Sequence, residues 1–289
     1  MMNIKAKNLQ LAYGSDQVLK DVNFEINERK VYGLLGRNGA GKTSLLSLIG
    51  SFREPTNGQL HVNGEVPFEN ATTMQQVTFM YNKDFTGESD PPLTIIKDIN
   101  RYRPNFDLEY GKELLKKFKL EDKKALQKLS KGKQSAFNVV VGLASRSPIT
   151  IFDEVYLGMD APARDLFYKE LLKDQEVHPR IMILSTHLVS EMDYLFDEVI
   201  IIKDGRILLQ EAYDDLLSHG VTVTGSKQDV DTFAEGKEVL NEEQLGGTRA
   251  ITLYGELSEA DQASATELGL DIGPVSLHNL FIQLTKEDE

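Results

Sequence analysis

The chain has 289 residues, 40% hydrophobic and 27% charged, proportions typical of a soluble globular protein with one large or two modest domains. It contains no cysteine, which excludes a disulfide scaffold, a cysteine-ligated zinc site and a thiol nucleophile. The net charge of −13 argues against a basic nucleic-acid-binding face, and residues 211–289, with 4 basic and 17 acidic side chains, account for all of it.

The apolar segments are too short to cross a bilayer. The longest runs, such as Val139–Ala144, fall far below the roughly 18–20 residues that a spanning helix requires. The first residues, Met1–Lys5, lack the apolar core of a signal peptide. We therefore expect a cytoplasmic protein, which acts at a membrane only if another chain supplies the spanning segments.

The first part of the chain has mainly strand patterns. Such patterns occur at 4–13, 18–26, 30–35, 60–64 and 77–81. Between them, the leucines that follow Gly41 have helical spacing, and this segment ends before Pro55. These elements predict strands that come before and after a single helix.

The middle of the chain alternates between helix and apolar strand. Residues 83–147 are rich in lysine and follow helical periodicity, and two apolar strands are predicted next, at 149–152 and 181–184. Apolar strands separated by helices indicate a parallel sheet that is covered on both faces. The sequence therefore predicts an α/β domain at 1–210, with the helical segment 83–147 inserted into it.

The acidic tail, residues 211–289, has its own pattern. Between 221 and 275 the predicted elements follow the order β-α-β-β-α-β, which indicates the ferredoxin-like split arrangement. Ser258 and Asp261 have capping-box spacing at the start of its second helix. Apolar residues at 277–284 predict a terminal amphipathic helix. The tail is thus predicted to be a small α+β accessory domain.

Residues 36–43, Gly-Arg-Asn-Gly-Ala-Gly-Lys-Thr, fit the phosphate-loop pattern G-x-x-x-x-G-K-[ST] between a strand and a helix, a context that a chance glycine-rich turn would lack. Glycines let the backbone point its N–H groups at phosphate oxygens, and the following helix adds its positive end. Lys42 would reach the β- and γ-phosphates, and Thr43 would ligate Mg²⁺. The candidate nucleotide-binding residues here are Gly36, Asn38, Gly39, Gly41, Lys42, Thr43 and Ser44.

Asp153 and Glu154 directly follow an apolar strand, at the edge where doubly wound sheets bind ligands. Asp153 suits a magnesium site, and Glu154 suits a general base that activates an attacking water. His187 ends the next apolar strand, where a neutral imidazole would hydrogen-bond a γ-phosphate or hold that water. A solvated strand end and a structural histidine are the alternatives, but the phosphate loop at the same edge favours catalysis.

Over residues 2–215 the sequence resembles the nucleotide-binding subunit of ABC transporters. The matching motifs, in order, are Walker A at 36–43, the signature (usually LSGGQ) at Leu129-Ser130-Lys131-Gly132-Lys133, Walker B at 149–154, the D-loop at 158–160 and the switch histidine at His187. Tyr13 lies where the family places an aromatic residue against adenine; the alternative is a packed aromatic at a strand end. The tail resembles that of the bacitracin-export and Ytr-type branch, which implies export.

The resemblance implies a P-loop NTPase fold, with a RecA-like core, an antiparallel β subdomain and a helical insertion. It implies ATP hydrolysis by a head-to-tail pair of subunits, identical or related, in which Ser130 and the Gly132 amide contact ATP held by the partner. Closure of the pair would move separate membrane subunits, which puts this chain at the cytoplasmic face of the membrane. The segment 81–99 lies where the family contacts those subunits; the alternative is an ordinary surface loop.

The sequence departs from the family pattern in three places. Asn82 replaces the Q-loop glutamine, and its shorter amide would ligate Mg²⁺ or water only if the loop came closer. Lys131 and Lys133 replace a glycine and a glutamine of the signature, and Lys133 either adds charge near phosphate or is a solvated helix residue. Tyr156 follows Walker B, where we expect it to alter packing.

Two alternatives to a transport ATPase follow from the same residues. The departures at Asn82 and in the signature motivate a nucleotide-gated regulatory module with little hydrolysis. A soluble ABC-type ATPase that acts on DNA or ribosomes is the other alternative. The single phosphate loop and the acidic charge argue against it, and we expect no nucleic-acid partner.

Overall fold

Two compact units make up the chain. The computed structural model describes residues 2–120, 123–218, 220–237, 239–255 and 257–286. Unit 1 consists of Met1–His187 and Ile200–Gln210, and unit 2 consists of Leu188–Val199 and Glu211–Glu289. The sequence-based boundary after residue 210 therefore misses one segment, since 188–199 packs with the acidic tail. Within the described ranges, no helix has the length and apolarity needed to cross a membrane.

Unit 1 combines an antiparallel sheet, a larger sheet and a group of helices. Its elements are β1 (Ile4–Tyr13), β2 (Asp16–Ile26), β3 (Val31–Leu35), α1 (Lys42–Ile49), β4 (Asn57–Val62), α2 (Ala71–Gln76), β5 (Val77–Tyr81), α3 (Pro92–Tyr102), α4 (Leu108–Lys117), α5 (Lys131–Ala144), β6 (Ile149–Asp153), α6 (Ala161–Val177) and β7 (Ile181–Thr186). The helix α7 (Val189–Met192) follows in unit 2, and β8 (Glu198–Lys203) and β9 (Arg206–Ala212) cross the boundary between the units.

The antiparallel sheet has the order β2-β1-β4. Buried and exposed residues alternate at the start of β1, where Ile4 and Ala6 are buried and Lys5 is exposed. This period of two is the pattern of a sheet with one buried face.

The larger sheet has the order β5-β6-β7-β3-β8-β9, and the pairings of β5 with β6, β6 with β7 and β7 with β3 are parallel. Every residue of β3, β6 and β7 is buried, which explains why these strands are mostly apolar rather than alternating. The register aligns Tyr81 with Asp153 and Asp153 with Ser185. The carboxyl ends of these neighbouring strands therefore lie at one edge.

The helices α3, α4 and α5 form the insertion between β5 and β6. Helix α4 packs against α3 and α5, and α5 also packs on β5 and β6. Gly142 on α5 makes this contact close, because a Cβ there would lie 2.3 Å from the Phe152 ring.

Unit 2 contains a four-stranded antiparallel sheet with the order β11-β12-β10-β13. Its elements after β9 are α8 (Tyr213–Ser218), β10 (Gly220–Ser226), α9 (Lys227–Ala234), β11 (Val239–Leu245), β12 (Thr248–Tyr254), α10 (Glu259–Glu267), β13 (Asp271–Pro274) and α11 (Leu277–Leu284). From β10 to β13 the connectivity is that of a split β-α-β unit. The capping box of Ser258 and Asp261 is present at the start of α10. An α/β unit with an antiparallel sheet and a helical insertion, followed by an α+β unit, confirms the predicted fold class.

Asp174, near the end of α6, carries a prediction about stability. Its buried carboxylate pairs with Arg180 at 2.7 Å and with Arg146. Asp174→Asn removes the counter-charge of the buried Arg180 and leaves Arg146 with Asp107 at 3.4 Å, so we expect a loss of about 3–5 kcal/mol in the free energy of unfolding, measured in urea. The control, Asp165→Asn, affects an exposed pair with Lys169 on the same helix and should change stability by about 0.5 kcal/mol or less. Equal effects of the two substitutions would contradict the prediction.

Candidate active site

The segment between β3 and α1 turns through conformations that favour glycine. Gly39 and Gly41 have φ angles of +85° and +108°, in the left-handed region where a side chain is strained. Gly36 is needed for a different reason, since a Cβ there would lie 2.7 Å from the carbonyl oxygen of Ile202. The backbone and its close packing therefore explain the glycines of the pattern.

The start of α1 suits an anion. Its N-cap is Gly41, and no side-chain hydrogen bond caps the helix, so the N–H groups of the first turn are suited to an outside acceptor. The Lys42 ammonium folds back over the loop and donates to the carbonyl oxygens of Gly36 at 2.7 Å and Arg37 at 3.3 Å. Asn38 and Thr43 are exposed beside it.

Burial and neighbouring groups shift the pKa values of the buried site residues in opposite directions. Burial lowers the pKa of Lys42, while the nearby Glu154 and Asp153 carboxylates act to raise it. Burial raises the pKa of Asp153, and hydrogen bonds with Ser185 and Thr43 act in the opposite direction. The ammonium and the two carboxylates thus form one coupled group, brought together from the phosphate loop and the end of β6.

Glu154 lies between two nitrogen atoms. Its Oε1 is 3.6 Å from Nζ of Lys42 and 2.9 Å from Nδ1 of His187. Its φ of +49° is unusual for a residue with a side chain, and such backbone strain is frequent at functional sites. The predicted base and the predicted histidine are therefore in direct contact, next to the phosphate-loop lysine.

The signature residues lie in a different location. Ser130 caps α5, and its side chain accepts a hydrogen bond from the Lys133 amide. Gly132 lies against the D-loop segment, where a Cβ would come within 2.5 Å of the carbonyl oxygen of Gly158. These residues line a cavity of about 730 Å³, together with Lys131, Lys133, Lys117 and Lys119 among others.

Tyr13 and Asn82 flank the site at two further strand ends. The Tyr13 hydroxyl is 3.4 Å from Oγ of Ser44, and the guanidinium of Arg53 lies over its ring, 4.7 Å from the centroid. Tyr13 is 40% exposed, so part of it is available for contact. Asn82 is exposed and directly follows β5, whose last residue, Tyr81, aligns with Asp153.

Two hydroxyl side chains have partners at or next to the site that the sequence did not predict. Ser185 donates a hydrogen bond to Asp153. The buried hydroxyl of Tyr156 is 2.9 Å from Oγ1 of Thr186, which immediately precedes His187. The run Ser185-Thr186 at the carboxyl end of β7 was the available signal, because it lies at the edge of the sheet where Asp153 ends β6.

The oxygen atoms at this edge fit a magnesium ion that is held partly by phosphates. Thr43 and Asp153 are hydrogen-bonded to each other, so a hydroxyl and a carboxylate converge at one point. Mg²⁺ prefers oxygen ligands and usually takes one or two protein ligands together with substrate phosphates and water. Among the described residues no group of three or more acidic or histidine side chains is arranged to hold a metal by itself.

Comparison with known proteins indicates the same class of protein as the sequence motifs do. Residues 19–156 match the ABC transporter family. The chain is 24% identical over 213 residues to the ABC transporter ATP-binding protein YtrB of Bacillus subtilis, covering 74% of this chain and 73% of YtrB. It is 25% identical over 306 residues to the Nod factor export ATP-binding protein I of Burkholderia lata, covering 98% and 96% of the two chains.

Solved structures give the same fold. One is a dimeric ATP-binding cassette in a post-hydrolysis state with ADP and Pi, and the similarity covers 73% of this chain and 98% of that chain, with a TM-score of 0.62 and 21% identity. The fold is thus that of ATP-binding cassettes, of the P-loop NTPase type. Residues 19–156 match the ABC transporter family and the two relatives are ABC transporter ATP-binding proteins, which agrees with the resemblance seen in the sequence.

Ser185→Ala tests the hydrogen bond to Asp153. Without the hydroxyl, the ionised carboxylate loses a partner, so we expect a loss of about 1–3 kcal/mol in the free energy of unfolding at neutral pH. The loss should shrink as the pH falls towards the raised pKa of Asp153, because a protonated carboxyl needs the donor less. Urea unfolding over a pH series measures it, with the exposed Ser15→Ala as control. A loss that does not depend on pH would contradict the assignment.

Proposed function

We propose that this chain binds and hydrolyses ATP as the energising subunit of an ABC transporter. The observation that carries the proposal is the position of Glu154 Oε1, which lies 3.6 Å from Lys42 Nζ and 2.9 Å from His187 Nδ1. A base, an orienting imidazole and a phosphate-loop cation at one point are what attack of water on a terminal phosphate requires.

Glu154 is the general base in this proposal. An ionised carboxylate accepts hydrogen bonds, so His187 donates from Nδ1, which leaves Nε2 as an acceptor. The carboxylate takes a proton from the attacking water as the water oxygen bonds to the γ-phosphorus. The bond from that phosphorus to the oxygen that bridges the β- and γ-phosphates breaks, and ADP leaves with the electron pair of that bond. His187 holds the carboxylate, and through Nε2 the water or a phosphate, in place for that transfer.

The phosphate loop binds and orients the nucleotide. Lys42 contacts the β- and γ-phosphates, and the N–H groups of the loop and of the first turn of α1 contact the remaining oxygens. Tyr13 stacks on adenine with its exposed ring, and Ser44 lies between it and the phosphates. When bound, Mg²⁺ neutralises phosphate charge; Thr43 and Asp153 would hold it, with Asn82 at the adjacent strand end.

A second subunit completes the site in this proposal. The chain has one phosphate loop and one signature, and Ser130 and Gly132 line a concave surface of their own. We assign this surface to ATP held by the partner, which is a second copy or a related chain. Lys131 and Lys133 line the same cavity, which favours added positive charge near phosphate over a solvated role for Lys133.

Separate membrane subunits are the other partners. The segment 81–99 contains the partly exposed Leu93 and the buried Phe85, whose ring packs on Phe137 with centroids 6.1 Å apart. A surface anchored in this way suits a contact that transmits movement to a membrane subunit, with this chain on the cytoplasmic face. The Nod factor relative is named for export, which supports the same direction here.

A regulatory module with little hydrolysis is the second candidate function, favoured by Asn82 and the altered signature. Mg²⁺-dependent phosphate release from the purified chain distinguishes the two functions. Sustained release supports the ATPase, and nucleotide binding without release supports the regulatory module.

Glu154→Gln tests the base. The amide cannot accept the proton from water, so we expect steady phosphate release to fall by roughly 10² to 10⁴, while ATP affinity stays within about threefold. The control is the exposed Glu176→Gln on α6, which should leave both quantities unchanged. Unchanged hydrolysis in the Glu154 variant would refute the assignment.

Lys42→Ala tests the phosphate contact. Removing a buried cation that pairs with phosphate should weaken Mg-ATP binding roughly thirtyfold or more in a calorimetric titration. Lys169→Ala removes an exposed lysine of α6 that pairs with Asp165, and it should bind as the unaltered chain does. Equal affinities of the two variants would contradict the role given to Lys42.

A further inference from the structure

The chain passes into unit 2 directly after His187. Leu188–Val199 belongs to unit 2, and the chain returns to unit 1 at Ile200. The first element of this segment is α7, with only four residues. A helix of this length is not stable by itself, because nucleation costs more than so few hydrogen bonds recover. The position of α7 therefore depends on what packs against it.

Helix α7 packs against α11, the last helix of the acidic tail. Val189 and Met192 of α7 are buried, and so are Leu277, Leu280 and Phe281 of α11. Helix α11 also packs against α8. The tail thus supplies the apolar surface that holds α7.

Helix α11 is itself well defined at both ends. At its start, the Ser276 hydroxyl accepts a hydrogen bond from the Asn279 amide at 3.1 Å. At its end, the Thr285 hydroxyl donates to the carbonyl oxygen of Phe281 at 2.7 Å. Capping at both ends makes it a rigid support rather than a frayed terminus.

His187 lies at the point where the chain passes from unit 1 into unit 2. Its N-terminal neighbour, Thr186, ends β7 and is 2.9 Å from the Tyr156 hydroxyl. Its C-terminal neighbour, Leu188, begins the segment that unit 2 holds. The His187 side chain is 33% exposed, so its ring is packed less tightly than the side chain of a core residue. Its orientation towards Glu154 depends on the backbone at both ends.

We propose that Leu280 and Phe281 of α11 are positioning residues for His187, acting through α7 and the peptide bond between His187 and Leu188. The inference rests on the proposed ATPase. It assigns to the acidic tail a part in hydrolysis but none in nucleotide binding, because the phosphate loop lies in unit 1.

Leu280→Ala is the first test, made in the full chain. The lost contact lets α7 and His187 move, so kcat for ATP hydrolysis should fall roughly tenfold, since small misplacements of catalytic groups have effects of this size. The Kd for a non-hydrolysable ATP analogue should stay within about twofold. Phe281→Leu removes less volume and should lower kcat less.

Two controls separate positioning from general damage to the tail. Val230→Ala also truncates a fully buried side chain of unit 2, but Val230 belongs to the core cluster formed with Phe233 and Ile251, which contains no residue of α7 or α11. It should leave kcat within about twofold, as should Ile282→Ala, a partly exposed position on α11. A loss of kcat as large as that of the Leu280 variant in either control would overturn the proposal.

A double-mutant cycle tests whether the effect passes through the histidine. In a His187→Ala background, Leu280→Ala should cause no further loss of kcat, because there is no imidazole left to misplace. A further tenfold loss would overturn the proposal, as would an unchanged kcat in the single Leu280 variant. A different result, no hydrolysis by the unaltered chain, would refute the proposed function itself.

Discussion

The alignment of parallel strands is the constraint on which the site depends. Asp153 is paired with Ser185 in register, and the phosphate loop leaves β3, which pairs with the other side of β7. Because side chains alternate along a strand, a slip of one residue would turn Asp153 away and move Glu154 along the edge. The contacts of Glu154 with Lys42 and His187 therefore require the whole apolar sheet. The continuous burial of β3, β6 and β7 thus helps to determine the geometry of the candidate site.

Without a ligand, the residues at this edge of the sheet are energetically unfavourable. Burial disfavours the charged forms of both Lys42 and Asp153, and Glu154 holds a strained backbone conformation. The opposite charges of Lys42 and the two carboxylates offset part of this cost. Unfavourable burial and strain at one point are typical of a site built for a charged ligand. Phosphates would complete the pairing of Lys42, as a divalent cation would for Asp153.

Local patterns predicted the parts of the site that local physics determines. The glycines at 36, 39 and 41, with Lys42 and Thr43, form a contiguous loop, and Asp153 and Glu154 simply continue an apolar strand. The approach of Gly132 to Gly158 and the hydrogen bond of Ser185 to Asp153 join distant segments of the chain. Periodicity along the sequence does not predict such contacts. The membership of 188–199 in unit 2 was unpredictable for the same reason, since a helix of four residues has almost no pattern and its partner lies about ninety residues later.

That membership distinguishes His187 from the other candidate site residues. The phosphate loop runs on into α1, Glu154 into α6 and Ser130 into α5, and all three helices belong to unit 1. Only the histidine is joined directly to the unit that carries the excess of acidic side chains. If α11 positions His187 as proposed, a change of state in the tail, whether from a binding partner or from salt acting on its negative charge, would affect the hydrolytic step. Nucleotide binding, which depends on the loop after β3, would be the function least exposed to it.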